Sequence, residues 1–272
     1  MKKKQLERIT KGYCRELMLC SEKLLPGFNI NAVHHFRVQY KKLRAFLRMI
    51  RTEPAASGHL RLPKHLKMVY GLAGSVRDLQ LHRQRVQYVY RNSKKKPETY
   101  LLQVKQATAK CKKELSVFFS ENNIKTGAER IMQALPDSFS NKALHHYTQK
   151  QWELVVQLID AGHFTDANMH LIRKMLKDLY YNIGVLDQDS FVVKIGKQQR
   201  TISLKLFSTL MGQLGKFQDL TTEIRMLGTF HLKELPVTEQ KELRALRANC
   251  IIQKNKLKRD LAVQLKTGFG SA

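Results

Sequence analysis

The stretch Val33 to Ile50, V-H-H-F-R-V-Q-Y-K-K-L-R-A-F-L-R-M-I, has two distinct faces when wound as a helix. At about 100° per residue, His34, Arg37, Lys41, Arg44 and Arg48 fall within an arc of about 80°. Val33, Phe36, Tyr40, Leu43, Leu47 and Ile50 fill a second arc roughly 110° away. The apolar arc must be buried against other elements, and beside it runs a rail of cations headed by a histidine. A basic face on an amphipathic helix is ordinarily just a solvated face. This one gains weight because it recurs. From Met169 the chain reads M-H-L-I-R-K-M-L-K-D-L-Y-Y-N-I-G, and His170, Arg173 and Lys177 repeat the spacing of His34, Arg37 and Lys41. Tyr180 and Gly184 replace Arg44 and Arg48, so the second rail carries less charge.

The rest of the chain is organised around this repeat. Helical periodicity dominates, and strand-like alternation is confined to Phe191 to Ile195. Prolines and most glycines fall where helices should end. Helices are expected over about Lys2–Leu25, then a rail helix capped by Asn29 or Asn31 and ending before Pro54, then Pro63–Asn92 and Pro97–Ser120. A short segment, Gly127–Leu135, leads to Pro136, the candidate boundary between halves 1–135 and 136–272. The second half repeats the plan: a helix capped by Asp137 or Ser138 and reaching Asp160, a rail helix capped by Thr165 or Asp166, and a loop around Asp187–Gly196. A long helix over Lys197–Thr229 and a last one capped by Thr238 and running to about Lys266 complete it. Leu214 to Leu220 mirrors Ala73 to Leu79, with Gly215 standing for Gly74 and Asp219 for Asp78. Long helices joined by short loops pack as antiparallel bundles. The expected fold is all-α: two four-helix bundles related by an internal pseudo-twofold, with the two rails facing one another across the junction.

Charge narrows the function. Lys and Arg number 49 against 22 Asp and Glu, a formal charge of +27 over 272 residues. Self-repulsion on this scale is best relieved by a polyanion: nucleic acid, an anionic membrane surface or another phosphate polymer. No run of about 18 apolar residues is present, so no membrane span is expected, and no apolar signal core follows Met1-Lys2-Lys3-Lys4. The four cysteines, Cys14, Cys20, Cys111 and Cys250, form no CxxC pair and read as reduced thiols of a cytosolic protein. The pairs His34-His35 and His145-His146 are poor metal signals, because adjacent helical residues point about 100° apart. Neither a metal site nor a cofactor is expected, and there is no GxxxxGK[ST] loop for a nucleotide.

At these residues the chain resembles the CHAD family, the conserved histidine α-helical domain. The family's helix reads His-x-x-Arg-x-x-x-(Arg/Lys)-(Arg/Lys)-x-Arg, and His34, Arg37, Lys41, Lys42 and Arg44 fit every position. Arg77-Asp78-Leu79 fits the later Arg-Asp-Leu hallmark. In the second half His170, Arg173 and Lys177 fit, whereas Asp178 stands where a second basic residue is usual and Tyr180 where an arginine is usual; Phe217-Gln218-Asp219-Leu220 fits the acidic hallmark. The resemblance implies two helical bundles around a basic central groove or pore that binds inorganic polyphosphate, in a protein associated with cytoplasmic polyphosphate granules. No CYTH-type triphosphatase domain accompanies it in this sequence, so that activity is not implied.

The rails suit such a ligand. Polyphosphate offers phosphoryl oxygens and no bases, and a helix face sets cations at regular spacing. Arg37, Arg44 and Arg48 can make forked contacts, Lys41 acts as a point charge, and His34 and His170 donate hydrogen bonds, with Arg173 and Lys177 as the matching cations of the second rail. Lys42 flanks the rail arc, and Lys64 and Lys205, separated by the same offset as the helix glycines, are second-rank candidates. Asp78 and Asp219 are expected to hold a rail arginine or lysine in place rather than to catalyse, since metal-assisted phosphoryl chemistry calls for a denser carboxylate cluster. The expectation is therefore non-catalytic binding. An RNA- or DNA-binding module is the alternative that charge alone would support, although the rails lack interleaved aromatics apart from Tyr180 and Tyr181. A metal-dependent polyphosphate or triphosphate hydrolase is a third reading. Counting cations ranks the first rail above the second.

Overall fold

The computed structural model describes residues 1–56, 60–121, 124–186, 190–195, 198–229 and 234–270. Within them the first half contains α1 (Lys3–Leu24), α2 (Ile30–Ile50), α3 (Lys64–Val89), α4 (Glu98–Glu121) and a short α5 (Ile124–Gln133). The second contains α6 (Asn141–Asp160), α7 (Asp166–Val185), a hairpin of β1 (Ser190–Ile195) and β2 (Gln198–Ser203), α8 (Leu204–Thr229) and α9 (Val237–Phe269). The all-α class is as the sequence implies, and each half supplies four long helices.

Local chemistry sets the boundaries. Asn29 caps α2, its side chain accepting from the Asn31 amide at 2.8 Å. Thr165 caps α7 by accepting from Asn168 N at 3.1 Å. The cap of α6 is Ser140, not Asp137 or Ser138: its hydroxyl accepts from Ala143 N, while Ser138 pairs with Lys2 in an isolated β-bridge and Asp137 binds Lys3. Thr238 is not a cap either, because α9 begins at Val237 behind Pro236, which has no side-chain oxygen to offer. One further expectation is filled in and another is corrected. The segment before Pro136 is a full helix, α5, lying on α1. The helix expected from Lys197 starts only at Leu204, because Gln198–Ser203 pairs antiparallel with β1, with Val193 opposite Arg200 and Phe191 opposite Ile202. Part of the loop expected at 187–196 lies outside the described residues. Val193 and Ile202 are buried and Val192 is exposed, the alternation of a strand with one face on a core.

The four central helices form a closed ring. α2 packs on α3 and on α7, α7 packs on α8, and α8 returns to α3. Outside the ring α1 lies on α2, α4 along α3, α6 on α7 and α9 along α8. Hydrophobic burial is shared between the halves. The larger core takes Phe36, Phe46, Trp152, Ile172 and Phe207, from both halves. A smaller core joins the far ends of α3 and α4 to those of α8 and α9 through Val86, Tyr100, Leu227 and Leu243. Within that smaller core the buried His82 places Nδ1 3.0 Å from Glu223 and Nε2 2.6 Å from the Tyr100 hydroxyl, satisfying polar groups that apolar surroundings would otherwise penalise.

Candidate functional site

The apolar arc of α2 faces the larger core, with Val33, Phe36, Tyr40, Leu43, Leu47 and Ile50 all buried. That fixes the rotation of the helix and turns its cations toward α3 and α7. The apolar arc of α7, with Met169, Ile172, Leu176, Leu179 and Ile183 buried, does the same for the second rail. The two rails meet. The charges felt by Lys41 come from Arg37, Lys177, Arg173 and Arg44. Burial first, and those four cations second, push its pKa from 10.5 down to about 7. Burial and Arg173 push Lys177 down to about 8, against an upward pull from Asp219. His34, exposed at one end of the rail, is also held low, by desolvation and then by Arg77, His35, Lys41 and Lys177.

The arginines are held in different ways. Arg37 Nη1 donates to the Tyr70 carbonyl at 2.8 Å, and its guanidinium lies 4.4 Å from the Tyr70 ring centre. Tyr70 stacks on Tyr40, with centroids 4.3 Å apart and planes at 16°. Gly74 makes this possible, because a Cβ at that position would collide with the Arg37 guanidinium. Its counterpart Gly215 faces open space, so the two copies are not equivalent here. Arg44 sits 5.8 and 5.7 Å from the rings of Tyr40 and Tyr70 with its buried Nε unpartnered, and Arg173 Nε is likewise buried without a partner. Arg48 is engaged, pairing with Asp178 across the α2–α7 contact at 2.5 Å. The departure from the family pattern at Asp178 thus neutralises part of the opposite rail.

His170 is oriented by α8: its Nδ1 donates to Gln218 Oε1 at 2.6 Å, leaving Nε2 for a ligand. Among the described residues Asp78 accepts from Arg225 Nη2 of α8 at 3.0 Å and from no rail side chain, so its support of Arg37 and Lys41 is by charge, without direct contact. Burial raises the Asp78 pKa, opposed by Arg37, Arg225 and Lys41. Asp219 acts similarly, its charge pulling up Lys177 and Arg77. Lys42 is half-buried, while Lys64 and Lys205 are exposed near the starts of α3 and α8; among the described residues none of the three makes a side-chain hydrogen bond or ion pair with a rail residue.

Sequence reasoning passed over other members. Arg77 is one: its Nη1 donates to the Ile30 carbonyl at 2.9 Å and it shares the field of Arg37. It was visible only as the first letter of a hallmark valued for its aspartate. Arg51, Arg61 and Lys67 are others, joining Arg44 and Arg48 around a hollow of about 240 Å³ at the far end of the rail. They lie in and around the α2–α3 connection, where no periodicity marks them. Among the described residues no helix is long and apolar enough to cross a membrane, and no three His, Cys, Asp or Glu side chains converge as metal ligands.

The four central helices of this mainly helical protein gather the cations of both rails, and among the described residues Arg48 alone of the rail cations forms an ion pair. Residues 13–228 match the CHAD domain family, and the chain belongs to that family. Among solved structures it is similar to the crystal structure of the CHAD domain from the plant Ricinus communis, with a TM-score of 0.64 at 13% identity, over 98% of this chain and 87% of that one. At that identity the likeness is one of fold. No curated protein matches the chain.

Proposed function

We propose that the ring of α2, α3, α7 and α8 binds inorganic polyphosphate without catalysing its turnover, and that the protein associates through it with cytoplasmic polyphosphate granules. The observation that carries this reading is the packing of α2 on α7, which gathers Lys41, Lys177, Arg37, Arg44 and Arg173 at one place; burial chiefly, and the neighbouring cations next, hold both lysines below their ordinary value. Burying like charges together destabilises a fold. Such an arrangement makes sense where a ligand supplies the missing negative charge, and strongly perturbed groups mark functional sites for that reason. An ionised phosphate chain offers only acceptors. Arg44 and Arg173, with unpartnered Nε groups, and the two lysines offer only donors. His34 and Arg37 extend the donor row, and His170, whose Nδ1 is committed to Gln218, joins it through Nε2 when protonated by a bound polyanion, with Lys42, Lys64 and Lys205 as outlying candidates. Asp78 and Asp219 act by holding the cations in place, Asp78 being already bound to Arg225.

Equilibrium binding of labelled long-chain polyphosphate, titrated with salt, tests the reading. Several engaged cations give a slope on the order of 0.7 to 0.9 log units per neutralised phosphate, by analogy with nucleic acid. Arg173→Glu should abolish binding while leaving helicity intact; a folded variant of unchanged affinity refutes the ring site. Release of orthophosphate with Mg²⁺ or Mn²⁺, retained until Asp78 and Asp219 are both replaced, would instead establish the hydrolase reading.

A further inference from the structure

A second basic groove lies outside the ring. On α3, Gln80, Arg83, Gln84 and Gln87 share a face, because side chains three and four positions apart are neighbours. Lys105 and Lys112 of α4 stand opposite. Two adjoining hollows of about 410 and 460 Å³ run between the helices and share Arg83, Gln87 and Lys105. This face is roughly a third of a turn around α3 from the face carrying Gly74 and Arg77.

Two features define what the groove takes. Its central cations are uncommitted: among the described residues Arg83 and Lys105 form no ion pair and Arg83 Nε is buried without a partner, whereas at the ends Lys112 donates to the Gly27 carbonyl at 2.9 Å and Lys96 pairs with Glu98. Phosphate oxygens meet that need. Its amides require something more. Gln80 Nε2 donates to the Phe28 carbonyl at 2.7 Å, which fixes the amide and leaves Oε1 buried with no donor to accept from. Ionised polyphosphate carries no donor and cannot satisfy it. A ligand of phosphates interleaved with hydroxyl or amino donors can. We propose that the α3–α4 groove is a second ligand site and that it takes single-stranded RNA, with Arg83, Lys105 and Lys112 on phosphates and the glutamines on 2′-hydroxyls. This site is independent of the polyphosphate reading of the ring.

The test uses the full chain and a labelled mixed-sequence single-stranded RNA, at about 0.15 M salt to suppress exposed-charge attraction, with saturating long-chain polyphosphate present. RNA should remain bound as a ternary complex and be preferred several-fold over DNA of the same sequence, which lacks the 2′-hydroxyl. Arg83→Glu combined with Lys105→Glu should weaken RNA at least about tenfold and leave polyphosphate affinity unchanged, each lost phosphate contact also lowering the salt slope by about one. Lys105→Glu alone, on an exposed helix face, provides a variant whose folding is not in question and should show part of the loss. Stoichiometric displacement of RNA by polyphosphate, equal binding of DNA, or groove variants that bind RNA as the parent does would each overturn the proposal. A chain that binds RNA here but no polyphosphate would refute the ring reading and leave this one standing.

Discussion

Replacing Lys41 by methionine should make the protein more stable and a poorer binder. Lys41 is half-buried, makes no ion pair or hydrogen bond among the described residues, and titrates near about 7 instead of 10.5. Each tenfold loss of proton affinity is about 1.4 kcal/mol, so keeping Lys41 charged in the folded state costs at most about 5 kcal/mol. Relaxation and water entry reduce this, and about 2 kcal/mol is a working figure. The sign follows from proton counting. Between about pH 7 and 10.5 the unfolded chain holds the Lys41 proton more tightly than the folded one, so stability rises with pH across that window, and the full cost is present below it. Methionine keeps the stem's volume and removes the charge. At pH 6 the variant should therefore unfold about 4–8 °C higher than the parent, and the gain should shrink toward nothing above about pH 10.5. Polyphosphate affinity at pH 6 should fall about 10- to 100-fold, the worth of one charge-assisted contact. Thermal unfolding followed by circular dichroism at several pH values reads the first effect, and anisotropy of labelled polyphosphate the second. A variant no more stable at pH 6, or a gain indifferent to pH, would refute the reasoning.

Other outcomes follow from the same geometry. Polyphosphate should restore charge to Lys41 and Lys177, so binding takes up protons near pH 8 and weakens as pH rises from about 7 toward 10; calorimetry in buffers of different ionisation enthalpy measures the uptake. Gly74→Ala should cost about 1–3 kcal/mol in urea unfolding, because the new Cβ displaces Arg37 from the Tyr70 carbonyl, whereas Gly215→Ala, in open space, should be neutral or stabilising. Asp178→Asn should release Arg48 and raise polyphosphate affinity severalfold while lowering stability by about 1–2 kcal/mol, a trade visible by running both assays on one preparation.

The helices and the convergence of the rails were legible because both rest on a period. The stripe of Val33, Phe36, Tyr40, Leu43 and Leu47 fixes which way α2 faces, and the cations beside it are carried along. What stayed hidden rests on single residues or on contacts distant in sequence. Nothing local distinguishes Ser140 from Ser138 as a cap until an isolated bridge to Lys2 takes the latter. Gln198–Ser203 reads as the start of a helix until pairing with β1 supplies a partner ladder, a tertiary contact overriding a weak preference. Arg51, Arg61 and Lys67 are indistinguishable in sequence from any other surface cations of a +27 chain.

The unequal halves bear on how the site works. Counting charges favours the first rail, which has His34, Arg37, Lys41, Arg44 and Arg48 against His170, Arg173 and Lys177. Hydrogen bonding redistributes that advantage. Arg37 already serves the Tyr70 carbonyl and ring, and Arg48 serves Asp178. On the second rail Arg173 has an unpartnered Nε and stands against Lys41 and Lys177. The committed arginines have little positional freedom and define the shape of the ring. The uncommitted cations carry the electrostatic cost and so gain most when an anion arrives. By this division a charge reversal at Arg173 should cost at least as much affinity as one at Arg37, despite the shorter second rail. Removing Arg37 should show itself first in stability, through the loss of the contact that Gly74 accommodates.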